Sequence, residues 1–333
     1  MTILELTKHL MTIPSVTGSE RELGEFLSAE LTRRGYRVER QYISGDRFNV
    51  IGFSDGKPRV VLCTHMDTVP PFLEVLEDDH YLYGRGACDT KGIIAAMLEA
   101  GDLLRRDGMT DLAYLFVVGE EIDSAGAKAA NLLKWDSEFV VVGEPTGSQL
   151  ARAQKGTFTA QISVRGRAAH SGYPEAGESA IDGLWNVLTD CRNADWGSDA
   201  VLGKGTFNVG VFQGGERANI VPATATASIM IRTVESRTRV EEKMQRLLAG
   251  RATMEIVAGA DPQLMHVVEG FPTTVVSFGS DVPYLGSVGK PLLIGPGSIL
   301  DAHTANERIE KQELIESVGL YVRLVKKLGN CGA

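Results

Sequence analysis

The sequence predicts an α/β protein in which a domain built on a mostly parallel sheet is interrupted by a smaller α+β domain of ferredoxin-like element order. Short apolar runs alternate with helical segments through residues 1–153 and return from residue 254, as in strands buried on both faces. Residues 154–253 instead contain strands with one polar face. A length of 333 residues fits two domains, so we expect 1–153 with 254–333 as one domain and 154–253 as an insertion.

The elements of the larger domain follow from apolar spacing and from helix-capping signals. Ser19-Glu20-Arg21-Glu22 has the form of a capping box, and apolar residues at helical spacing follow it as far as Gly35. Because strand and helix alternate afterwards, the strands are expected to pair largely in parallel. We predict strands at Val60–Cys63, Leu112–Val118, Phe139–Val142 and Pro291–Ile294, and helices at Thr90–Leu104, Ser124–Leu133 and Lys311–Leu328.

The inserted domain shows the order strand, helix, strand, strand, helix, strand. Its strands alternate polar and apolar residues, which indicates a sheet with one face covered by two helices. The predicted strands are Thr157–Val164, Phe207–Phe212 and Ala223–Ile231, and the helices are Ser179–Leu188 and Ser236–Leu248.

Composition argues against several functional classes. Lys plus Arg is 34 against 43 for Asp plus Glu, and a net charge of −9 repels phosphate backbones. No apolar run approaches the roughly 18 residues of a membrane span, and no secretory signal is visible. The cysteines lack paired spacing and are expected to be reduced thiols: Cys63, Cys88, Cys191 and Cys331. We therefore expect a cytoplasmic protein with neither nucleic acid nor a membrane as its partner.

Acidic and imidazole side chains recur just beyond the ends of the predicted strands. The carboxyl ends of strands in open α/β sheets are where ligand sites form. Two imidazoles and several carboxylates at one edge suit a divalent ion such as zinc, cobalt or manganese. The residues are His65 and Asp67, Asp89 at the start of a helix, Glu120 and Glu121, Glu144, and His303 after a glycine-rich loop.

Each of these residues also has an ordinary structural interpretation. Asp89 precedes Thr90 and could cap the following helix, and Glu120 with Glu121 could be a solvated loop pair. A single histidine is usually a surface group. The metal-site prediction therefore depends on five separate loops all carrying ligand-type residues.

Over nearly its whole length the sequence resembles the M20 family of metallopeptidases and deacylases. The resemblance depends on five motifs in order: Thr64-His65-Met66-Asp67-Thr68-Val69-Pro70, Gly84-Arg85-Gly86-Ala87-Cys88-Asp89-Thr90-Lys91-Gly92, Gly119-Glu120-Glu121, Gly143-Glu144-Pro145-Thr146, and His303.

The resemblance implies two divalent metal ions per chain, with zinc expected and cobalt or manganese as alternatives. Asp89 would bridge the ions, and Glu120 would be the general acid and base. Asp67 would orient the His65 imidazole. The other ligands would fall into two pairs, His65 with Glu144 and Glu121 with His303.

The resemblance also implies roles for three residues of the insertion, which would act as a lid and dimerisation domain. His170 would stabilise the oxyanion from the partner subunit of a homodimer. Asn219 would contact substrate near the reaction centre, and Arg232 would bind a substrate carboxylate. The family usually has an acidic residue two positions before this arginine, where this chain has Met230. From the residues alone, a turn between strand and helix is the preferred interpretation of His170. Asn219 and Arg232 could equally be surface residues at strand ends.

The predicted function is metal-dependent hydrolysis of the amide bond of an N-acyl amino acid. Within the family the chain resembles acetylornithine deacetylases most, which implies N-acetylornithine as substrate and a place in arginine biosynthesis. Glu144, rather than aspartate, also favours the deacylases. Succinyl-diaminopimelate or acyl-lysine deacylation, and a dipeptidase or carboxypeptidase activity, remain as alternatives. A mononuclear aminopeptidase and a non-catalytic homologue are further hypotheses.

Overall fold

The structure, a computed structural model, describes residues 1–330 and divides the chain into two compact units. The larger unit contains Met1–Arg152, Met265–Thr274 and the residues from Ser280 onward, and the smaller contains Ala153–Leu264 and Val275–Gly279. Cys331 lies outside the described residues. The chain returns to the larger unit later than residue 254, because the strand that begins there pairs within the smaller unit.

Seven α-helices and twenty strands lie within the described residues. The helices are α1 Ile3–Thr12, α2 Arg21–Arg33, α3 Lys91–Arg106, α4 Ala125–Ala130, α5 Ala180–Asn193, α6 Arg237–Leu248 and α7 Lys311–Asn330. The strands are β1 Arg37–Ser44, β2 Arg47–Phe53, β3 Val60–His65, β4 Leu76–Glu77, β5 Tyr81–Tyr83, β6 Leu112–Val117, β7 Phe139–Val142, β8 Leu150–Gln154, β9 Gly156–Arg165, β10 Ala169–His170, β11 Ser198–Asp199, β12 Gly203–Lys204, β13 Thr206–Gly214, β14 Ile220–Val221, β15 Thr224–Thr233, β16 Thr253–Ala260, β17 Gln263–Leu264, β18 Thr273–Val276, β19 Lys290–Leu293 and β20 Arg308–Glu310.

The main sheet of the larger unit has the order β1-β2-β6-β3-β7-β19-β8. Its four central strands, β6, β3, β7 and β19, pair in parallel. The flanking pairs β1–β2, β2–β6 and β19–β8 are antiparallel. The expectation of a mostly parallel sheet is therefore correct only for the centre, because β1 and β2 form a hairpin rather than a helix-linked crossover.

Every residue of the central strands β3, β6 and β7 is buried, which agrees with their uninterrupted apolar sequence. Helices α1, α3 and α7 pack against one another, and α2 packs against β1 and β2. A small sheet of order β20-β5-β4 lies in the same unit and joins the segment after His303 to the segment before Asp89. The loops that carry the predicted site residues follow these buried strands.

The predicted capping box before α2 does not form. The helix begins after Glu20, whose side chain makes no capping hydrogen bond. Instead this buried carboxylate accepts two hydrogen bonds from Arg47, at 2.7 and 2.9 Å. A capping box forms at α1, where Thr2 and Glu5 bond reciprocally. Because the helix begins one residue later than the pattern predicts, Ser19 lies outside it and Glu22 falls at its second position, so the reciprocal capping bonds do not form.

The smaller unit has an antiparallel sheet of order β13-β15-β9-β16. With α5 after β9 and α6 after β15, its elements follow the expected order strand, helix, strand, strand, helix, strand. Helices α5 and α6 pack on β9 and on each other over a separate apolar core. Strand β13 lies at one edge of this sheet.

Between residues 1 and 330, no helix is both long enough and apolar enough to cross a membrane. In the same range Cys63, Cys88 and Cys191 are free thiols.

Candidate metal centre

The parallel register of the central strands brings the predicted residues to one edge of the sheet. His65, the last residue of β3, lies beside Val117 at the end of β6, and Cys63 lies beside Val142 at the end of β7. Glu120 and Glu121 come three and four residues after the end of β6, and Glu144 comes two residues after the end of β7. Gly119 has φ +81, which a residue with a Cβ rarely adopts, and it makes the turn that leads into the glutamates.

Asp89 lies between the two predicted histidine ligands. Its Oδ1 is 3.0 Å from Nε2 of His65, and its Oδ2 is 3.2 Å from Nε2 of His303. His303 Nε2 also lies 3.0 Å from Oε2 of Glu121. Each oxygen of one carboxylate thus faces a different imidazole. Although Asp89 precedes α3, the helix-capping position is Thr90, so the Asp89 carboxylate is not a cap.

Two sets of side chains could each hold a metal ion. The ligand atoms of His65, Asp89 and Glu121 all lie within 4.8 Å of one another, and so do those of His65, Glu120 and Glu144. His65, Asp89 and Glu144 are buried, whereas His303 is half-exposed. His303 has φ 60, a left-handed conformation that is uncommon for residues other than glycine and that clusters at functional sites.

Asp67 is fully buried and organises the loop that carries the glutamates. Its Oδ1 accepts the backbone N–H of Glu120 at 3.1 Å, and its Oδ2 accepts that of Glu121 at 3.2 Å. The Asp67 carboxylate lies 3.6 Å from Nδ1 of His65, too far for a hydrogen bond. The backbone carbonyl of Asp67 lies 2.8 Å from that nitrogen and accepts its proton. Asp67 therefore contacts His65 through its main chain and the glutamate loop through its side chain.

Burial and neighbouring charges shift the pKa values of the histidines and glutamates at this site. Burial opposes protonation of His65, but its hydrogen bond with Asp89 and the charge of Glu144 raise the pKa of His65 well above its usual value. Hydrogen bonds with Asp89 and Glu121 raise the pKa of His303 to about 10. Desolvation raises the pKa of Glu120 and of Glu144 well above the usual carboxyl value.

These observations fit a site for divalent cations. Carboxylates that converge in a desolvated place repel one another and take up protons when no cation compensates their charge. Imidazole and carboxylate donors are the set that zinc prefers, and manganese or cobalt also accept them. The geometry therefore agrees with the ligand types predicted from the sequence.

Three buried or partly buried residues around the site were not predicted. Asp281 is buried, its Oδ1 lacks a hydrogen-bond partner among the described residues, and burial raises its pKa to about 7. Glu307 accepts the backbone N–H of Asp89 at 3.3 Å. Thr17 donates a hydrogen bond to Asp67. The sequence Ser280-Asp281-Val282-Pro283 is typical of a turn, but it does not indicate that the Asp281 side chain is buried.

The three residues predicted in the insertion all lie in the smaller unit. His170 pairs with Ile220 in a two-residue ladder, and Ser171 donates its N–H to the carbonyl of Asn219 at 3.0 Å. The N–H of Gly172 donates to Nδ1 of His170 at 3.0 Å, which leaves Nε2–H as the donor of the neutral ring. Arg232 lies near the other end of β15, roughly 26 Å along the strand from Thr224 at about 3.3 Å per residue. The unit thus brings His170 and Asn219 together and keeps Arg232 apart.

Comparisons with known proteins show which family this chain is similar to. A sequence profile for peptidase family M20/M25/M40 matches residues 61–327. A peptidase M20 domain-containing protein of Schizosaccharomyces pombe is 36% identical, over 97% of this chain and 84% of that protein. A protein of Aspergillus clavatus named "probable carboxypeptidase" is 34% identical, over 98% of this chain and 88% of its own length. A tripeptidase of Staphylococcus aureus has the same fold, with a TM-score of 0.82 at 22% identity over 98% of this chain and 97% of its own. The chain belongs to peptidase family M20/M25/M40.

Proposed function

We propose that this protein is a dinuclear metal-dependent peptidase that hydrolyses an amide bond next to a free carboxylate, as a carboxypeptidase or dipeptidase does. The observation that carries the proposal is the Asp89 carboxylate between His65 and His303, at 3.0 and 3.2 Å. One carboxylate that faces two imidazoles suits a ligand shared by two ions.

The relatives favour peptide substrates over N-acetylornithine. The two relatives described above bear the names of an M20 domain protein and a carboxypeptidase. Neither name supports deacetylation or a place in arginine biosynthesis, so the alternative expected from the sequence replaces the first expectation. The reaction centre serves both substrate classes, because each reaction hydrolyses an amide.

The ligand assignment in this proposal follows the family resemblance. We propose that Asp89 is shared, that His65 and Glu144 complete one ion site, and that Glu121 and His303 complete the other. The short distances from Asp89 to the two imidazoles and from His303 to Glu121 support it. Two bound divalent cations would polarise the scissile carbonyl and increase the acidity of water at neutral pH. Zinc is the proposed ion.

Glu120 supplies the proton transfers. Desolvation raises the pKa of its carboxyl above the usual value, and glutamate is one of the side chains that act as general acids and bases. It accepts the proton of the attacking water and then donates a proton to the departing amine. Asp67 fixes the Glu120 main chain through the 3.1 Å hydrogen bond and so limits the positions of this carboxylate.

The smaller unit is proposed as the lid and dimerisation domain. Strand β13 is at a sheet edge, and the exposed apolar residues Trp185, Val211 and Phe212 lie on α5 and β13. The Trp185 and Phe212 rings are 6.4 Å apart, so they form one patch. We propose that a second copy covers it, and that His170 donates its Nε2–H to the oxyanion in the partner's site. We propose that Asn219, beside His170, contacts the substrate in the same partner site, and that Arg232, which lies apart from them, binds a substrate carboxylate from the other subunit of the dimer.

The test is a substrate panel with metal-reconstituted protein. Chelator-treated protein is supplied with zinc, cobalt or manganese and assayed with dipeptides, tripeptides, N-acetylornithine, N-succinyl-diaminopimelate and N-acyl-lysine. We expect metal-dependent hydrolysis of peptides, with amidation of the peptide C-terminus abolishing turnover. Faster turnover of any acylated amino acid than of every peptide would restore the deacylase assignment. Full activity without metal would refute both.

A further inference from the structure

A buried ion pair contacts the main chain of Asp89. Arg85 and Glu307 have side chains that are 3% and 0% exposed, and Arg85 Nη1 donates to Oε2 of Glu307 at 2.6 Å. Glu307 comes four residues after His303, and Arg85 four residues before Asp89. The pair therefore joins the segment that carries Asp89 to the segment that carries His303.

Glu307 uses both carboxylate oxygens and its main chain to make this connection. Its Oε1 accepts the backbone N–H of Asp89 at 3.3 Å, while its Oε2 accepts from Arg85. Its backbone carbonyl accepts the N–H of Gly84 at 2.9 Å. Arg85 also donates from Nε to the carbonyl of Pro71 at 3.2 Å. Three ligand-bearing loops are thus joined by one ion pair.

We propose that Glu307, held by Arg85, is a positioning residue that fixes the main chain of Asp89, so that its two carboxylate oxygens face His65 and His303 for two divalent cations. A buried pair is seldom retained for stability alone, since an apolar pair of similar volume is often as stable. In this pair, Oε1 of Glu307 accepts the backbone N–H of Asp89, the proposed shared ligand. The inference rests on the proposed two-ion site and adds which contacts hold its shared ligand, Asp89, in place.

Two double variants isolate the hydrogen bond to Asp89. Arg85→Met with Glu307→Leu removes the pair without leaving a buried charge, and Arg85→Met with Glu307→Gln keeps an oxygen for the Asp89 N–H. Zinc titration calorimetry measures stoichiometry and affinity for each. We expect the Leu variant to bind zinc about 10- to 100-fold more weakly, the usual loss for partners behind a metal ligand, and the Gln variant to recover most of that loss. Equal zinc affinity in the two folded variants overturns the proposal.

A milder variant keeps the proposal testable if the Leu variant does not fold. Arg85→Lys preserves the buried charge but cannot reach Glu307 and Pro71 with two separate N–H groups in the same geometry. We expect lower zinc affinity and a changed visible absorption spectrum of the cobalt-loaded protein at an unchanged unfolding temperature. Affinity and spectrum equal to wild type would refute the positioning role. Wild-type protein that fails to bind two ions would instead refute the proposed function, so the two failures are distinguishable.

Discussion

The Thr17 hydroxyl donates a 2.7 Å hydrogen bond to Oδ2 of Asp67, fifty residues further along the chain. The same oxygen accepts the backbone N–H of Glu121 at 3.2 Å. A residue of the N-terminal loop is thereby connected, through one buried carboxylate, to the loop that carries the proposed base and one proposed ligand. Hydrogen bonds to a charged group contribute about 1.5–3 kcal/mol, enough to affect how that loop is held.

Thr17→Val is expected to lower kcat roughly 10-fold, by the usual loss for partners behind a metal site, with a small change in KM. The valine has the shape of threonine but donates no hydrogen bond, so Asp67 loses one contact while packing is preserved. Steady-state kinetics with a peptide substrate measures the effect. Thr17→Ser, which keeps the hydroxyl, is the control and should retain most of the activity. Wild-type kcat in the valine variant would show that this contact is irrelevant to catalysis.

Glu120→Gln is expected to reduce kcat by about 100-fold or more, since general acid–base catalysis typically supplies 10²–10⁴-fold. Zinc stoichiometry should stay at the wild-type value, because Glu120 is proposed as the base and not as a ligand. The neighbouring Glu121→Gln is the matched comparison and should lose one ion. Unchanged hydrolysis of every substrate by Glu120→Gln would contradict the enzymatic assignment.

Zinc affinity is expected to rise with pH. In the ion-free protein Asp89 and Glu121 raise the pKa of His303 to about 10, so its imidazole is protonated at neutral pH. Metal binds only the neutral ring, and the proton must leave. At pH 7, calorimetry in buffers of different ionisation enthalpy should show proton release on zinc binding, with one proton fewer for His303→Ala. Zinc binding without proton release would contradict a protonated His303 in the ion-free protein.

The contribution of His303 to the stability of the ion-free protein is expected to fall as pH rises, whereas zinc affinity rises. Because the pKa of His303 is higher in the folded state than its ordinary value of 6.5, its contribution is present below about pH 6.5 and is lost as pH rises through about 10.

Trp185→Arg is expected to convert a dimer into a monomer in sedimentation velocity. Trp185 is 65% exposed, so the change leaves the core of the smaller unit intact. Tyr42→Arg alters an equally exposed aromatic residue, 63%, on the larger unit and should leave the dimer unaffected. A wild-type protein that sediments as a fully active monomer would remove the proposed role of His170 in a partner's site.

The sequence predicted the candidate site well because its signals are local. His65, Glu121 and Glu144 each follow an apolar run, and parallel strands bring such positions to one sheet edge. That argument needs only the direction of the central strands, which is as expected. The antiparallel β1 and β2 at the sheet edge do not affect it.

What the sequence could not show are contacts between distant segments. Glu20 lies inside a predicted capping box without a capping role in it, and its pairing with Arg47 depends on how α2 packs on the sheet. Thr17, Glu307 and Asp281 lie in turns whose polar residues usually face solvent. Likewise, strand β16 belongs to the smaller unit only because it pairs with β9, so alternation alone placed the domain boundary too early.

The measurement that tests the central claim most directly is the zinc stoichiometry of Asp89→Ala beside His303→Ala and Glu144→Ala. If Asp89 is shared, wild type binds two ions, each of the latter variants retains one tight ion, and Asp89→Ala retains none. If Asp89→Ala still binds one ion as tightly as wild type, Asp89 serves a single ion at most, and the two-ion site described here is wrong.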